Sequence, residues 1–171
     1  MAHDMDRLLE MSEEIWENSI IPSLSEFIGI KALSPLFEPD WEELGELEDV
    51  IELFCNWIDM QGISGLSYSV HRIEGRSPVL LVTVKGTGKG EVIFYSHLDK
   101  QPSKPELWSD GLGPLDAVRR GEWLFGRGSI DDGYGGYLCL ASLKLLQESG
   151  IPHPKCCLLY TSPSPRDTEV S

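Results

Sequence analysis

The chain has 171 residues, 41% of them hydrophobic and 25% charged, a balance typical of a globular domain with its own core. Its formal net charge of −14 argues against nucleic acids and anionic membranes as partners, because such a surface repels both. No apolar run approaches the roughly 20 residues that span a bilayer, and the N-terminus lacks the features of a signal peptide. The four cysteines show no zinc-type or disulfide-type spacing, so we expect a cytoplasmic, reduced protein.

Two amphipathic helices are predicted in the first third of the chain. Apolar residues at helical spacing begin at Leu8 and continue until Pro22, which is expected to interrupt the helix before it resumes. The second helix has clearer ends, because Asp40 with Glu43 resembles a capping box and Gly62 suits the C-terminal cap. Its apolar stripe consists of Leu44, Leu47, Ile51, Phe54 and Ile58.

The hydrophobic period then changes to that of strands. Residues 66–70 alternate between apolar and polar, while residues 79–84 and 92–95 are nearly continuous apolar runs typical of buried strands. The glycine-rich segment 86–90 joins these two runs and is predicted to be a hairpin turn. The alternative is a phosphate-binding loop, for which this segment lacks the full spacing and the Ser or Thr after lysine.

The second half of the chain is predicted to contain a long loop and a third helix. Prolines and glycines punctuate residues 102–125, which indicates a loop. A helix then runs from about Gly135 to Ser149 and ends at Gly150. Helices that alternate with buried strands predict an α/β architecture, with helices packed on a mixed sheet.

The first candidate site follows the third predicted strand. His97 and Asp99 are two residues apart, and side chains at that spacing in a strand share one face. We expect them side by side at the carboxyl end of the strand, the edge at which open α/β sheets bind ligands. A neutral histidine ligates zinc and a neighbouring carboxylate holds its ring, but a surface histidine beside a turn-forming aspartate has the same spacing.

The second candidate site precedes the third helix. Asp131 and Asp132 follow Gly126 and Gly128, and glycines let the backbone approach other groups closely. One carboxylate there is able to bridge two metal ions about 3.5–4 Å apart. An aspartate that caps the helix N-terminus explains the same pair, and the dipeptide alone leaves both interpretations open.

Taken in order, these motifs resemble those of the carnosinase-like dipeptidases. These enzymes belong to a larger family of two-zinc aminoacylases, glutamate carboxypeptidases and succinyl-diaminopimelate desuccinylases. Residues 97–102, His-Leu-Asp-Lys-Gln-Pro, are similar to the first metal motif of that family. Residues 125–132, Phe-Gly-Arg-Gly-Ser-Ile-Asp-Asp, are similar to its second. The resemblance extends from the first helix to about Cys156.

The resemblance implies a role for each motif residue. His97 would ligate one zinc ion, Asp131 would bridge two, and Asp99 would be the catalytic-site residue that clamps the His97 ring. The peptide bond between Asp131 and Asp132 would be cis. The implied cofactor is a pair of zinc ions, with manganese or cobalt as substitutes. The implied reaction is cleavage of an amide bond in a short peptide or N-acyl amino acid by metal-activated water, with homodimers of the full-length parent as a further option.

The chain departs from the family after the third helix. The family places an apolar strand there and then two glutamates, one a general base and the next a zinc ligand, whereas residues 161–165 are Thr-Ser-Pro-Ser-Pro. A further acidic ligand, the distal histidine and an inserted lid or dimerisation domain are also absent. Residues 157–167 resemble the translated adapter of transposon-based sequencing libraries.

These observations predict a truncated, partial zinc-exopeptidase catalytic domain. Residues 1–156 would be its N-terminal part and residues 157–171 a non-native tail, of which 158–171 are expected to be disordered or loosely docked. We expect the chain itself to be inactive, since neither zinc ion reaches the three protein ligands of catalytic sites. The alternative is a non-catalytic α/β binding or scaffold domain in which His97 and Asp131 are structural.

Overall fold

The computed structural model describes residues 5–160, which form five helices and six strands. The helices are α1 (Met5–Ile15), α2 (Ile21–Gly29), α3 (Trp41–Leu44), α4 (Glu46–Met60) and α5 (Tyr134–Glu148). The strands are β1 (Leu66–Ile73), β2 (Arg76–Val84), β3 (Glu91–Ser96), β4 (Val118–Arg120), β5 (Trp123–Phe125) and β6 (Lys155–Tyr160). Among these residues, no helix combines the length and the apolar character needed to cross a membrane.

The main sheet has four strands in the order β1-β2-β6-β3. β6 is antiparallel to β2 and parallel to β3, so the sheet is mixed. α4 packs on β2 and α5 on β3. The predicted α/β class, with helices on a mixed sheet, is confirmed.

The first helix does not stop at Pro22. This proline lies in the first turn of α2. The N–H groups of a first turn have no acceptor within their own helix, so the N–H that proline lacks costs little there. A wider turn over Trp16–Ile20 joins α1 to α2, and in it the Ile21 N–H donates to the Trp16 carbonyl. The backbone is therefore helical from residue 5 to residue 29, but its α-helical hydrogen bonding is interrupted just before Pro22, as predicted.

The second helix begins later than its sequence pattern predicts. Asp40 makes no side-chain hydrogen bond at the start of α3, so it does not act as a capping box. Gly45, at a φ of 70°, then separates α3 from α4. The predicted end at Gly62 is confirmed, since this glycine also has a positive φ of 64°.

The glycine-rich segment 86–90 is not a hairpin turn. β6 lies between β2 and β3, so the segment crosses from one strand to a strand that is not its neighbour. Gly86 and Gly88 pass against the backbone of His153 and Pro154, and the Gly88 N–H donates to the His153 carbonyl at 2.8 Å. Close packing of the backbone therefore explains why glycines stand at these positions, and no phosphate-binding role is needed to explain them.

The predicted loop 102–125 contains a short hairpin. β4 and β5 pair antiparallel with each other, next to the turn at Gly121. The guanidinium of Arg119 forms an ion pair with Glu17, at 2.7 Å for its Nη2, which ties the hairpin to the turn between α1 and α2. Strands of three residues are too short to produce a recognisable alternation in the sequence.

The end of the described chain is ordered. Leu158 and Tyr160 are buried in β6, between two neighbouring strands. The prediction that residues 158–171 are disordered or loosely docked is therefore wrong for residues 158–160, and residues 161–171 lie outside the described part. The alternation of Cys156, Leu158 and Tyr160 on one face suits a central strand, whatever its origin.

The core lies between the helices and one face of the main sheet. Its centre is a cluster of four aromatic rings, Phe54, Trp57, Tyr137 and Tyr160, with neighbouring centroids 4.7–5.7 Å apart. The opposite face of the sheet is open at the β3 edge, where Ile93 is 77% exposed and Tyr95 is exposed as well. One layer of helices therefore covers one face, and apolar side chains lie on the other.

Candidate metal centre

Both candidate motifs lie at the carboxyl end of β3. The strand ends at Ser96, and His97 and Asp99 follow it directly. Asp131 belongs to the tight turn Ser129–Gly133 that leads into α5. The hydroxyl of Ser96 donates to the backbone carbonyl of Asp132 at 3.1 Å, and this bond joins the two motifs.

The His97 ring lies between two carboxylates. Its Nδ1 is 3.3 Å from Oδ1 of Asp99, and its Nε2 is 3.3 Å from Oδ1 of Asp131. Nδ1 also lies 3.0 Å from the Asp99 carbonyl, which accepts its hydrogen. The side chain of Asp99 is only 2% exposed, whereas that of Asp131 is 63% exposed. A buried carboxylate thus holds the inner side of the ring, and an accessible one faces its outer nitrogen.

The two carboxylates determine the protonation of this histidine. The Asp99 carboxylate beside the ring raises the pKa of His97 to about 9 against the opposing effect of burial, and Asp131 adds to the rise. At neutral pH the ring therefore carries a proton on each nitrogen. A metal ion that binds Nε2 must displace one of these protons.

Two glycines allow the second motif to approach the helix α2. Gly128 has a φ of 84°, and a Cβ there would come within 2.9 Å of both the Lys100 chain and the Phe27 ring. A Cβ at Gly133 would lie 2.3 Å from the same ring. The peptide bond between Asp131 and Asp132 is cis, as the resemblance implies.

Lys100 anchors the first motif to the end of α2. Its ammonium group is buried, lies over the Phe27 ring at 4.2 Å, and donates to the carbonyls of Phe27, Ile28 and Ile30 at 2.5–3.2 Å. Burial lowers the pKa of Lys100 to about 7. The three carbonyls accept hydrogen bonds from the three ammonium hydrogens, which offsets part of the free-energy cost of burying the charge. The sequence carries no signal for this role, since a lysine between aspartate and glutamine is typical of a solvent-exposed position.

The donors at the site suit zinc in type but not in number. An imidazole nitrogen and a carboxylate oxygen are ordinary zinc ligands, and Asp99 behind the ring is the partner that such a histidine requires. However, residues 5–160 contain no cluster of three or more His, Cys, Asp or Glu side chains able to hold a metal ion. Catalytic zinc sites have three protein ligands, so His97 and Asp131 alone would fall short of one.

The structure brings together the residues that the sequence singled out. His97, Asp99 and Asp131 form one contact network, while His71 lies in β1 and His153 is buried beside Gln147. The roles of the first three as ligands and clamp stay predictions. Ser96, which connects the motifs, has no distinctive signal in the sequence, because a serine at a strand end is ordinary.

An imidazole and a carboxylate that face each other at the carboxyl end of the edge strand β3 define a candidate metal centre in an α/β domain. The family model of peptidase family M20/M25/M40 matches residues 93–163, the segment that holds both motifs. The resemblance to this family, drawn above from the motifs, is confirmed. A search of the curated proteins found no match.

Solved structures of this family share the fold. The di-peptidase Dug1p of Saccharomyces cerevisiae is 18% identical, with a TM-score of 0.69 over 94% of this chain and 35% of its own. Human carnosine dipeptidase 1 is 17% identical, with a TM-score of 0.68 over 91% of this chain and 34% of its own. The M20 family metallo-carboxypeptidase Sso-CP2 of Sulfolobus solfataricus is 20% identical, with a TM-score of 0.66 over 82% of this chain and 30% of its own. The chain thus spans about a third of the length of each structure.

Proposed function

We propose that this chain is the N-terminal part of the catalytic domain of a metal-dependent peptidase. The full-length parent would cleave the amide bond of a short peptide or N-acyl amino acid. The observation that carries the proposal is the His97 ring between a buried and an exposed carboxylate, within the segment matched by a peptidase family.

Each residue of the site has a proposed task in the parent. His97 offers Nε2 to a metal ion, and Asp99 fixes the ring orientation and tautomer from behind. Asp131 offers an accessible carboxylate, which would bridge two ions. Zinc is the proposed metal, with manganese or cobalt as substitutes; when bound, it would polarise the amide carbonyl and activate water.

The chain itself is proposed to be inactive. Two donors leave a metal ion short of the three protein ligands typical of catalysis. The general base that removes a proton from water is also a carboxylate in the proposed mechanism, and both carboxylates beside His97 already have other tasks. Substrate binding and homodimer formation by the parent stay predictions, as does a cytoplasmic location.

We further propose that residues 157–171 are a non-native tail. The resemblance of residues 157–167 to a translated library adapter supports this tail. The chain spans about a third of each solved structure that it resembles, and within residues 5–160 the sheet face at Ile93 lacks the second helix layer that parallel strand pairs usually have, both as in a shortened domain. Within the same residues the hydroxyl of Tyr160 is buried without a hydrogen-bond partner, an arrangement that native cores seldom retain. The match to the family model runs to residue 163, so the proposed boundary at Cys156 falls within it.

The gene downstream of the Cys156 codon tests this division. We expect genomic sequence to continue into an apolar strand followed by two glutamates. A natural stop codon after Ser171, in reads that contain no library adapter, would contradict the proposed tail and leave the metal centre proposal untouched.

A non-catalytic binding or scaffold domain is the second candidate. The observation in its favour is that the described residues supply no third ligand near His97 and Asp131. In that case the pair of carboxylates would stabilise the fold through the charged histidine, and zinc would have no specific site.

Zinc titration of four variants distinguishes the two candidates. We expect the wild-type chain to bind zinc in competition with a chelating dye, and His97→Ala and Asp131→Asn to lose this binding. Asp99→Asn should weaken it by about tenfold, the usual effect of removing the partner of a ligating histidine. The matched control is His71→Ala, on a strand away from the site, which should bind like the wild type.

Hydrolysis assays on the same variants test inactivity. With zinc or manganese added, dipeptide cleavage by the wild-type chain should equal that of His97→Ala. Turnover above that background would show that the chain is a working enzyme. Equal zinc affinity in wild type and His97→Ala would favour the scaffold.

A further inference from the structure

A groove among the helices lies away from the candidate metal centre. It has a volume of about 650 Å³ and is open to solvent between α1, α2, α4 and α5. On α5 it is lined by Lys144 and Glu148, whereas Asp131 precedes the first turn of that helix. The ten residues from Tyr134 to Lys144 rise about 15 Å at 1.5 Å per residue, so the groove is a separate surface.

The floor of this helical groove consists of its apolar side chains, which lie among serine, asparagine and glutamine residues of the same lining. Met11, Ile15, Leu53 and Met60 contribute to its lining, and Met60 is 74% exposed. Unbranched methionine side chains accommodate ligands of different shape, which suits a surface that receives another side chain.

The rim of the groove is acidic. Glu14 and Glu26 are exposed, and neither forms an ion pair or hydrogen bond with another residue in the range 5–160. The only cation in the lining, Lys144, is 3.9 Å from Glu148 and is thereby partly neutralised. The helical stretches 5–29 and 46–60, which form the two long walls, carry eleven carboxylates against the single arginine Arg7.

We propose that the helical groove docks a basic peptide segment, one that combines lysine or arginine with large apolar side chains. The apolar side chains would contact the floor, and the cations would lie against Glu14 and Glu26. The wall charges give a field that attracts such a segment and repels acidic peptides, nucleic acids and anionic membranes. This partner is independent of any peptide cleaved at the metal centre.

The probe is a fluorescein-labelled peptide of alternating lysine and leucine pairs, titrated with the full chain and followed by anisotropy. We expect saturable binding that weakens as salt rises. Reversing both rim charges, Glu14→Lys with Glu26→Lys, should weaken binding by about tenfold or more, since each 1.4 kcal/mol of lost interaction is a factor of ten. Met60→Gln should weaken it as well while leaving the charge unchanged.

The matched control reverses two exposed carboxylates outside the groove and its walls, Glu74→Lys with Glu106→Lys, which changes the net charge equally. This control should bind the peptide within about twofold of the wild type. An equal loss from both pairs would overturn the proposal, because it would show diffuse attraction to an acidic protein. Equally tight binding of spermine or of a lysine-serine peptide would also overturn it, since the apolar floor would then contribute nothing. Circular dichroism confirms that each variant is folded.

Discussion

Replacement of Lys100 by methionine is expected to lower the free energy of unfolding by about 3 kcal/mol at pH 6. At that pH the amine is charged, because burial lowers its pKa only to about 7. The carbonyl of Ile28 lies in the last turn of α2 and that of Ile30 directly follows it, where a helix offers no donors of its own. Methionine fills the same space and avoids the cost of burying a cation, but leaves these acceptors without a partner.

Chemical denaturation measures this difference, and Lys31→Met is the matched control. Lys31 is an exposed lysine that forms a surface ion pair with Glu38 at 3.0 Å. Its loss should change stability by less than about 1 kcal/mol, as is usual for exposed pairs. If Lys100→Met proves as mild as the control, the ammonium does not hold the end of α2, and another contact must position the first motif.

The elements that sequence predicts well are those with a long, regular period. The stripe of α4 and the apolar run of β2 each reflect one buried face, so their existence and type follow from spacing. β3 is a strand, as its apolar run predicts, but its predicted burial is wrong, because it lies at the edge of the sheet with Val92, Ile93 and Tyr95 exposed. The ends of these elements are harder to predict from the sequence. Gly45 divides α3 from α4 inside one apolar stripe, whereas the backbone stays helical across Pro22.

The order of strands could not be predicted from local pattern. A glycine-rich segment between two apolar runs ordinarily indicates a hairpin. Here a later segment, β6, pairs with both strands, and the contact between residues 86–88 and His153 is a consequence of that insertion. Such a contact joins positions more than sixty residues apart and leaves no periodic trace.

The candidate site was predictable in its members and not in its electrostatics. Order and spacing of the motifs identified His97, Asp99 and Asp131 as candidates, and the fold brings all three within 3.3 Å contacts. Neither the raised pKa of His97 nor the burial of Lys100 has a signal in the sequence, because both depend on which side chains surround these residues in the fold.

The order of residues 158–160 also depends on the surrounding fold. Alternating Leu158 and Tyr160 satisfy a central strand position physically, even in a stretch that resembles a sequencing adapter.

Substitution of Gly86 by alanine is expected to lower the free energy of unfolding by about 3 kcal/mol, at the upper end of overpacking effects. A Cβ at this position would lie 2.2 Å from the carbonyl oxygens of His153 and Pro154, and backbone atoms cannot turn away as a flexible side chain does. Gly29→Ala is the matched control, because only one atom comes within 4 Å of its added Cβ, the Leu115 carbonyl at 4.0 Å. That variant should change stability by less than about 1 kcal/mol, toward greater stability at a helix end. Thermal and urea unfolding of both variants provide the comparison. A Gly86→Ala chain as stable as the wild type would show that residues 86–90 do not pack against His153, and would reopen the phosphate-loop interpretation that this contact displaces.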